Sequence, residues 1–262
     1  MADAATWSSK LNIWVTGAGS GIGEALVRRL IAEGHFVIIS GRNRAPLLAI
    51  QQAAPTRVKV LDCDVGNDQS MVSAASDLQE ITDQLDLVIA CAGTCEYDEG
   101  LTLDIDSYRR VFDANFFGLV NTLRASLPLL GGSRAPVFVA VGSLSSVIGF
   151  PRAEAYGASK AAVDYFTQAV RADTSLTSLR TVLVRPGFID TPLTRKNDFD
   201  MPFLMAPEKA AERILSGIKA GRHTIDFPRR LSWPLRLLRF FSPVWFRLIA
   251  PRMTRIQKLR KA

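Results

Sequence analysis

LNIWVTGAGSGIGEALVRRLIAEGHFVIIS, residues 11–40, is the stretch from which the fold is read. Residues 11–16 are an apolar run of strand character that leads without a spacer into Gly17-Ala-Gly-Ser-Gly-Ile-Gly23. A helical period follows from about Ile22 to Ala32, Gly34 supplies a stop, and residues 35–40 read as a second strand. A strand–helix–strand unit opened by glycines suits a pyrophosphate. Amides at the helix start point at the anion, and side chains in the turn would block its approach. Taken alone, the glycines also fit an ordinary tight strand–helix turn.

The alternation continues to residue 227. Apolar runs at residues 57–63, 86–90, 136–141, 180–185 and 224–227 are separated by helical patterns that start near Asn67 and cover residues 104–127, 156–176 and 207–221. This order predicts an α/β fold: a doubly wound, mostly parallel sheet of about seven strands with helices on both faces.

The run at 136–141 ends in Gly142-Ser143, and after a loop broken by Gly and Pro the sequence Tyr156-Gly-Ala-Ser-Lys160 opens a helical pattern. Residues four apart lie one above the other on a helix, so Tyr156 and Lys160 share a face. A phenol has a reference pKa of about 10, and a neighbouring ammonium favours its ionised form. With the Ser143 hydroxyl placed to hold the same substrate oxygen, the three residues form an acid/base device.

Thr16-Gly-x-x-x-Gly-x-Gly23 and Tyr156-x-x-x-Lys160, with a serine thirteen residues before the tyrosine, resemble the short-chain dehydrogenase/reductase family over roughly residues 11–227. The resemblance implies a Rossmann-type sheet and an NAD(P)-dependent oxidoreductase that interconverts a ketone or aldehyde with an alcohol. It implies Asn115, Ser143, Tyr156 and Lys160 as catalytic residues, with Tyr156 as proton donor and acceptor, and Lys160 lowering its pKa and binding the ribose hydroxyls. The matching asparagine of the family sits at a helix kink and orders a water joined to the lysine, which gives Asn115 a role; a surface polar residue is the alternative. For the cofactor it implies Thr16, Gly17, Ser20, Gly21, Ile22 and Gly23, then Asp64 and Val65, Ala92 and Gly93, Tyr156 and Lys160, and Pro186, Gly187, Ile189 and Thr191. Asp64 would contact the adenine amino group; a cap for the helix near Asn67 is the other reading. Where family members carry Asn-Asn-Ala-Gly, this chain has Ala90-Cys91-Ala92-Gly93, which removes two bracing side chains.

The end of the second strand bears on the cofactor. An acid there accepts from the adenosine ribose and repels a 2′-phosphate; Ser40-Gly41-Arg42 has none, and the Arg42 guanidinium suits a phosphate. NADP(H) is favoured, with NAD(H) as the other cofactor, and a solvated loop cation as the plain reading of Arg42. Residues 192–205 read as a lid loop whose Leu193, Phe199, Met201, Phe203, Leu204 and Met205 point to a lipophilic substrate. Similar enzymes pair through helices matching residues 104–127 and 156–176, so a homodimer or homotetramer is expected. A non-catalytic dinucleotide-binding sensor or scaffold is the rival reading.

Composition bounds the rest. The 262 residues, 48% hydrophobic, fit one large α/β domain or two small ones, here divided as a dinucleotide-binding and catalytic domain (1–227) and a helical extension (228–262). Three cysteines, Cys63, Cys91 and Cys95, make no even disulfide framework and favour a reducing, cytoplasmic setting. The two histidines, His35 and His223, make no ligand-spaced cluster, so no metal site is expected. The first residues lack a signal-peptide pattern, and no apolar run reaches the roughly 18 residues of a membrane span. Charge is uneven: residues 222–262 carry eleven Lys/Arg and one acid, +10 against +7 for the whole chain, which leaves −3 on residues 1–221. In the tail, Ser232-Trp-Pro and Ser242-Pro243 read as helix caps, and leucines and aromatics interleave with arginines. Such helices suit a peripheral membrane contact; packing over the substrate pocket or a subunit interface is the alternative. Nucleic acid fits less well, because phosphate contacts need charge and not leucine.

Overall fold

The computed structural model describes residue 7 and residues 9–254, so the chain start and the basic run from residue 255 onward lie outside the described residues. The strands are β1 (Asn12–Thr16), β2 (Phe36–Ser40), β3 (Val58–Val60), β4 (Leu87–Ala90), β5 (Val137–Val141), β6 (Arg180–Pro186) and β7 (Thr224–Phe227). All neighbours pair in parallel, in the order β3-β2-β1-β4-β5-β6-β7. The principal helices are α1 (Gly21–Ala32), α2 (Arg44–Ala53), α3 (Asp68–Ile81), α4 (Ile105–Phe112), α5 (Gly118–Leu130), α6 (Glu154–Asp173), α7 (Pro207–Lys219) and α8 (Arg229–Phe240).

Strand periodicity explains the two layers. Ile13 and Val15, Val37 and Ile39, Leu87 and Ile89, and Val182 and Val184 face α1, α2 and α7, where Leu26, Leu30, Leu47 and Ile214 close the core. Their neighbours Trp14, Ile38, Val88, Phe138 and Leu183 face α3, α5 and α6 through Met71, Leu78, Leu123 and Val163. Both faces are buried, so the strands are apolar throughout rather than alternating. The buried Trp14 indole is satisfied by Ser40 Oγ at 3.0 Å. The strand order reverses between β1 and β4, and the crevice at their C-terminal ends is where such sheets bind ligands.

Three helices differ from the sequence reading. The α2 helix goes unanticipated because only Leu47 and Ile50 are buried; its signals are the Asn43 cap, accepting from the Ala45 amide at 3.3 Å, and Pro46 in the first turn. The expected helix 104–127 is interrupted by a π-helical turn, Asp113–Phe117. The first tail helix starts at Arg229 and not at Ser232, because Pro228 enters it directly from β7; Ser232 is buried inside it and Pro234 lies within the helix.

The tail folds back on the body. Leu231, Leu235, Leu238, Trp245, Ile249 and Ala250 pack with Leu144, Val147, Ile148 and Phe150 of the β5–α6 loop. Trp245 Nε1 donates to the Gly149 carbonyl at 2.8 Å, and its ring meets Phe150 edge-on at 5.1 Å. The second expected cap is displaced by one residue: Phe241 holds the cap position without a side-chain bond, and Ser242 is the first residue of the short helix Ser242–Val244, with Pro243 in its first turn.

Candidate active site

A cleft of about 590 Å³ opens along the C-terminal ends of the strands. Its first wall is the β1–α1 turn. Gly17 has φ +68°, and a Cβ there would lie 2.7 Å from Ala92 Cα. A Cβ on Gly23 would lie 2.1 Å from the Gly17 carbonyl oxygen, so no larger residue fits at either position. Ser20 precedes α1 in extended backbone without a side-chain cap, leaving first-turn amides directed at the cleft. Gly93 continues the cradle: a Cβ there would come 2.8 Å from Asn115 Oδ1. The glycines let neighbouring backbone close up around the turn, and the long cleft beside the α1 start suits an extended dinucleotide.

Seventeen of the nineteen expected site residues line this cleft. Thr16 and Asn115 stand behind it. Thr16 is buried and its Oγ1 accepts from the Cys91 and Ala92 amides at 3.2 and 3.3 Å. It therefore braces β1 to the end of β4. Asn115 is 1% exposed, which removes the surface reading. Its Oδ1 accepts from Thr94 N at 2.8 Å, and its Nδ2 donates to Thr94 O at 3.0 Å and Ser159 Oγ at 2.9 Å. The π turn carries Asn115 into this position; such turns concentrate at functional sites. Asp64 does not cap α3, because Asn67 does so, accepting from Ser70 N at 2.8 Å. Asp64 Oδ1 instead accepts from Gly66 N at 3.1 Å. Arg42 is exposed on the rim and makes no ion pair with the described residues, whereas Arg44 reaches Asp62 at 3.3 Å.

Ser143, Tyr156 and Lys160 share one wall. Ser143 follows β5 and accepts from Ser145 N at 3.1 Å, which fixes its hydroxyl at the loop entrance. Partial burial and the nearby Cys95 push the Tyr156 phenol above the usual tyrosine range, and the Ser143 hydroxyl beside it is the contact that favours the ionised form. Lys160 Nζ donates to the Val141 carbonyl at 3.0 Å and sits 5.9 Å from the Tyr156 ring centroid. Burial pushes its pKa down to about 8, with Cys91, Cys95 and Asp164 opposing. The lowering expected from Lys160 is not seen: burial outweighs the Ser143 contact and the phenol stays above its usual range, while the lysine's proton is the loosely held one.

Loops supply the remaining wall. Ile189 pairs with Met205, and Asp190 N donates to Met205 O at 2.9 Å, so the lid loop returns to its own base. The Thr191 methyl would touch a Cβ on Gly21 at 2.8 Å, closing this loop onto the glycine turn. Phe199 of the lid meets Tyr97 at 5.6 Å and Phe188 at 6.1 Å. Arg152 clasps the lid to the loop after β4 by pairing with Asp198 at 2.9 Å and with Glu99. The lining also contains Gly19, Asn43, Cys91, Thr94, Gly142 and Thr194, which the sequence did not assign to the site. Only their adjacency to residues already named marked them. Among the described residues no group of three or more His, Cys, Asp or Glu is placed to hold a metal ion.

Beneath the site lies a buried charge cluster. Arg185 of β6 bonds Asp164 of α6 at 2.9 Å and Asp226 of β7 at 2.9 and 3.0 Å. Ser146 Oγ donates to Asp164 at 2.9 Å, and Arg236 of α8 pairs with Asp226. The cluster ties the helix of Tyr156 and Lys160 to the tail.

Comparison with known proteins agrees with this geometry. The short chain dehydrogenase family model matches residues 11–201. An uncharacterized oxidoreductase of Myxococcus xanthus is 33% identical over 242 residues, 91% of this chain and 96% of that protein. A short chain dehydrogenase from Burkholderia cenocepacia, solved in complex with NADP, is 25% identical with a TM-score of 0.80 over 93% of this chain and 99% of its own. One from Burkholderia phymatum, solved with NAD, is 20% identical with a TM-score of 0.81, covering 90% and 95%. The fold, the glycine cradle and the family match together make the chain a member of the short-chain dehydrogenase/reductase family, an NAD(P)-dependent oxidoreductase.

Proposed function

We propose that this enzyme reduces a lipophilic ketone or aldehyde with NADPH, Tyr156 giving the proton. The observation that carries the reading is the shared wall of Ser143, Tyr156 and Lys160, opposite the Pro186–Thr191 loop in one cleft. When bound, the reduced nicotinamide supplies the hydride. The Tyr156 phenol, held protonated by its partial burial, gives its proton to the carbonyl oxygen and takes it back in the reverse direction. The Ser143 hydroxyl donates to that oxygen as negative charge develops. Lys160 binds the ribose hydroxyls through its ammonium. Asn115 keeps one Oδ1 lone pair beyond its bond to Thr94, which serves a water leading to Lys160.

NADPH is favoured by an unpaired Arg42 next to Gly41, with no acid directly after β2; the B. cenocepacia relative, solved with NADP, is consistent with it. The lipophilic substrate follows from Leu193 in the cleft lining and from Phe199 of the lid packed on Phe188 of the preceding loop. Pairing of two copies through α4–α6 is favoured by the exposed Ile105, Phe117 and Tyr165 there, and the tail is assigned to a membrane surface. The test is Tyr156→Phe with a panel of aliphatic and aromatic aldehydes and ketones. NADPH should bind with near-parent affinity, while its consumption falls by at least about a thousandfold. Turnover within a few-fold of the parent would remove Tyr156 from this role.

A further inference from the structure

One surface serves neither the core nor the cleft. Helix α8 buries the stripe Leu231, Leu235 and Leu238 against the β5–α6 loop. A second stripe, Trp233, Leu237 and Phe240, has the same spacing and stands about half a helical turn round, on the far side of the helix. These three side chains are 70%, 60% and 85% exposed. Phe241, Val244, Phe246 and Leu248 prolong the exposed apolar surface beyond the helix. Arg229, Arg230, Arg236, Arg239, Arg247 and Arg252 interleave with it, no Asp or Glu occurs between residues 229 and 254, and among the described residues only Arg236 of these six has an ion-pair partner.

Charge selects the occupant. A second copy meeting this patch about a two-fold axis would set the arginines against themselves. An acidic protein groove satisfies the arginines and leaves a stripe of Trp, Leu and Phe to be matched separately. A bilayer with anionic headgroups meets both at once: side chains such as these lie at the acyl boundary while the guanidinium groups stay among the phosphates. No helix among the described residues is long and apolar enough to cross a membrane, so the contact is interfacial. We propose that residues 229–253 dock this enzyme on an anionic bilayer, with Trp233, Leu237 and Phe240 inserted. Leu231, on the inner side of the same helix, would touch a Cβ on Gly187 at 3.0 Å, so the cleft wall stands one helix diameter from the lipid. A carbonyl compound dissolved in that bilayer is then close to the site; this consequence, unlike the docking, rests on the reductase reading.

The test is co-sedimentation of the full chain with vesicles of phosphatidylcholine alone or with about three parts in ten phosphatidylglycerol. The parent should pellet with the anionic vesicles only. The triple variants Trp233→Ser/Leu237→Ser/Phe240→Ser and Arg229→Gln/Arg230→Gln/Arg239→Gln should each bind about tenfold or more weakly, with NADPH binding and thermal melting like the parent's, because these side chains face solvent. In the parent itself, brominated acyl chains should quench fluorescence that is absent from Trp233→Phe, a readout independent of how the triple variants fold. Parent protein left in the supernatant overturns the proposal. So does parent-like pelleting of the apolar variant, which would mean charge contact without insertion. A larger assembly of the parent than of the apolar variant in sedimentation velocity would give the stripe to a second copy. Pelleting without any carbonyl turnover would leave the docking standing and remove the reductase reading.

Discussion

Lys160 carries the most informative electrostatics of any single residue. Burial lowers its pKa from the 10.5 of a free lysine to about 8. Between those values the unfolded chain binds the extra proton, so stability through this group rises with pH across that window, and the cost of the buried ammonium is in force below it. Lys160→Met should therefore compare more favourably with the parent in melting temperature at pH 7 than at pH 10.5. Its carbonyl reduction should be down by at least about a hundredfold at either pH. An identical difference in Tm at both pH values would mean that the lysine is not buried as charged. Arg42 offers a cleaner test of cofactor choice, because it touches no other described charge. A charge-assisted hydrogen bond is worth about 1.5–3 kcal/mol, so Arg42→Ala should lower the ratio of NADPH to NADH efficiency by about tenfold or more. An unchanged ratio of kcat/KM values would strip the residue of its phosphate contact. Both positions were legible in the sequence, as a motif lysine and as a basic residue where an acid would oppose a phosphate. What Lys160 bonds was not legible, since Val141 lies nineteen positions earlier and only the β5–α6 packing joins them.

At the scale of elements, the charges under α6 decide how firmly the catalytic helix and the tail are joined. Arg185 is 13% exposed between Asp164 and Asp226, at 12% and 8%. Removing it leaves Asp164 buried without a cation and Asp226 with only the half-exposed Arg236, so Arg185→Leu should destabilise by about 3–5 kcal/mol in urea unfolding. Arg236 pairs with the same Asp226 but is 49% exposed, and Arg236→Ala should cost no more than about 1 kcal/mol. Equal losses in the two variants would mean that the tail contact, and not the buried pair, holds this corner. The strands and most helices were readable because period and punctuation are local: Gly34 ends α1, and apolar runs set the strands. The π turn at Asp113–Phe117 was readable only through the resemblance, which placed a kink at Asn115. The start of α8 differs from the sequence expectation because Ser232-Trp-Pro is a good cap in isolation. The chain leaving β7 has already entered the helix at Pro228, and the serine side chain is buried.

For the whole molecule, the doubly wound parallel sheet follows from sequence pattern, whereas the strand order and the two surfaces of the tail come from the structure. Residues 1–221 carry −3 and residues 222–262 carry +10, an asymmetry visible by counting. Where the basic segment lies relative to the site needs the fold: α8 packs Leu231 toward Gly187 and Leu144 while Trp233 and Phe240 face outward. In the sequence both stripes are the same kind of residue at the same spacing, and nothing local marks which one is covered. The sequence by itself determined the parallel α/β sheet, the glycine cradle and the pairing of Tyr156 with Lys160. These depend on repeat lengths of two and 3.6 residues and on spacings within one turn. Tertiary structure alone decided that Thr16 braces β4, that Asn67 rather than Asp64 caps α3, that Ser143 is the contact favouring the ionised tyrosine, and which face of α8 is left open. Each of these turns on a partner distant in the chain or on which of two adjacent polar groups a loop brings within about 3 Å, and a one-dimensional pattern does not encode that distance.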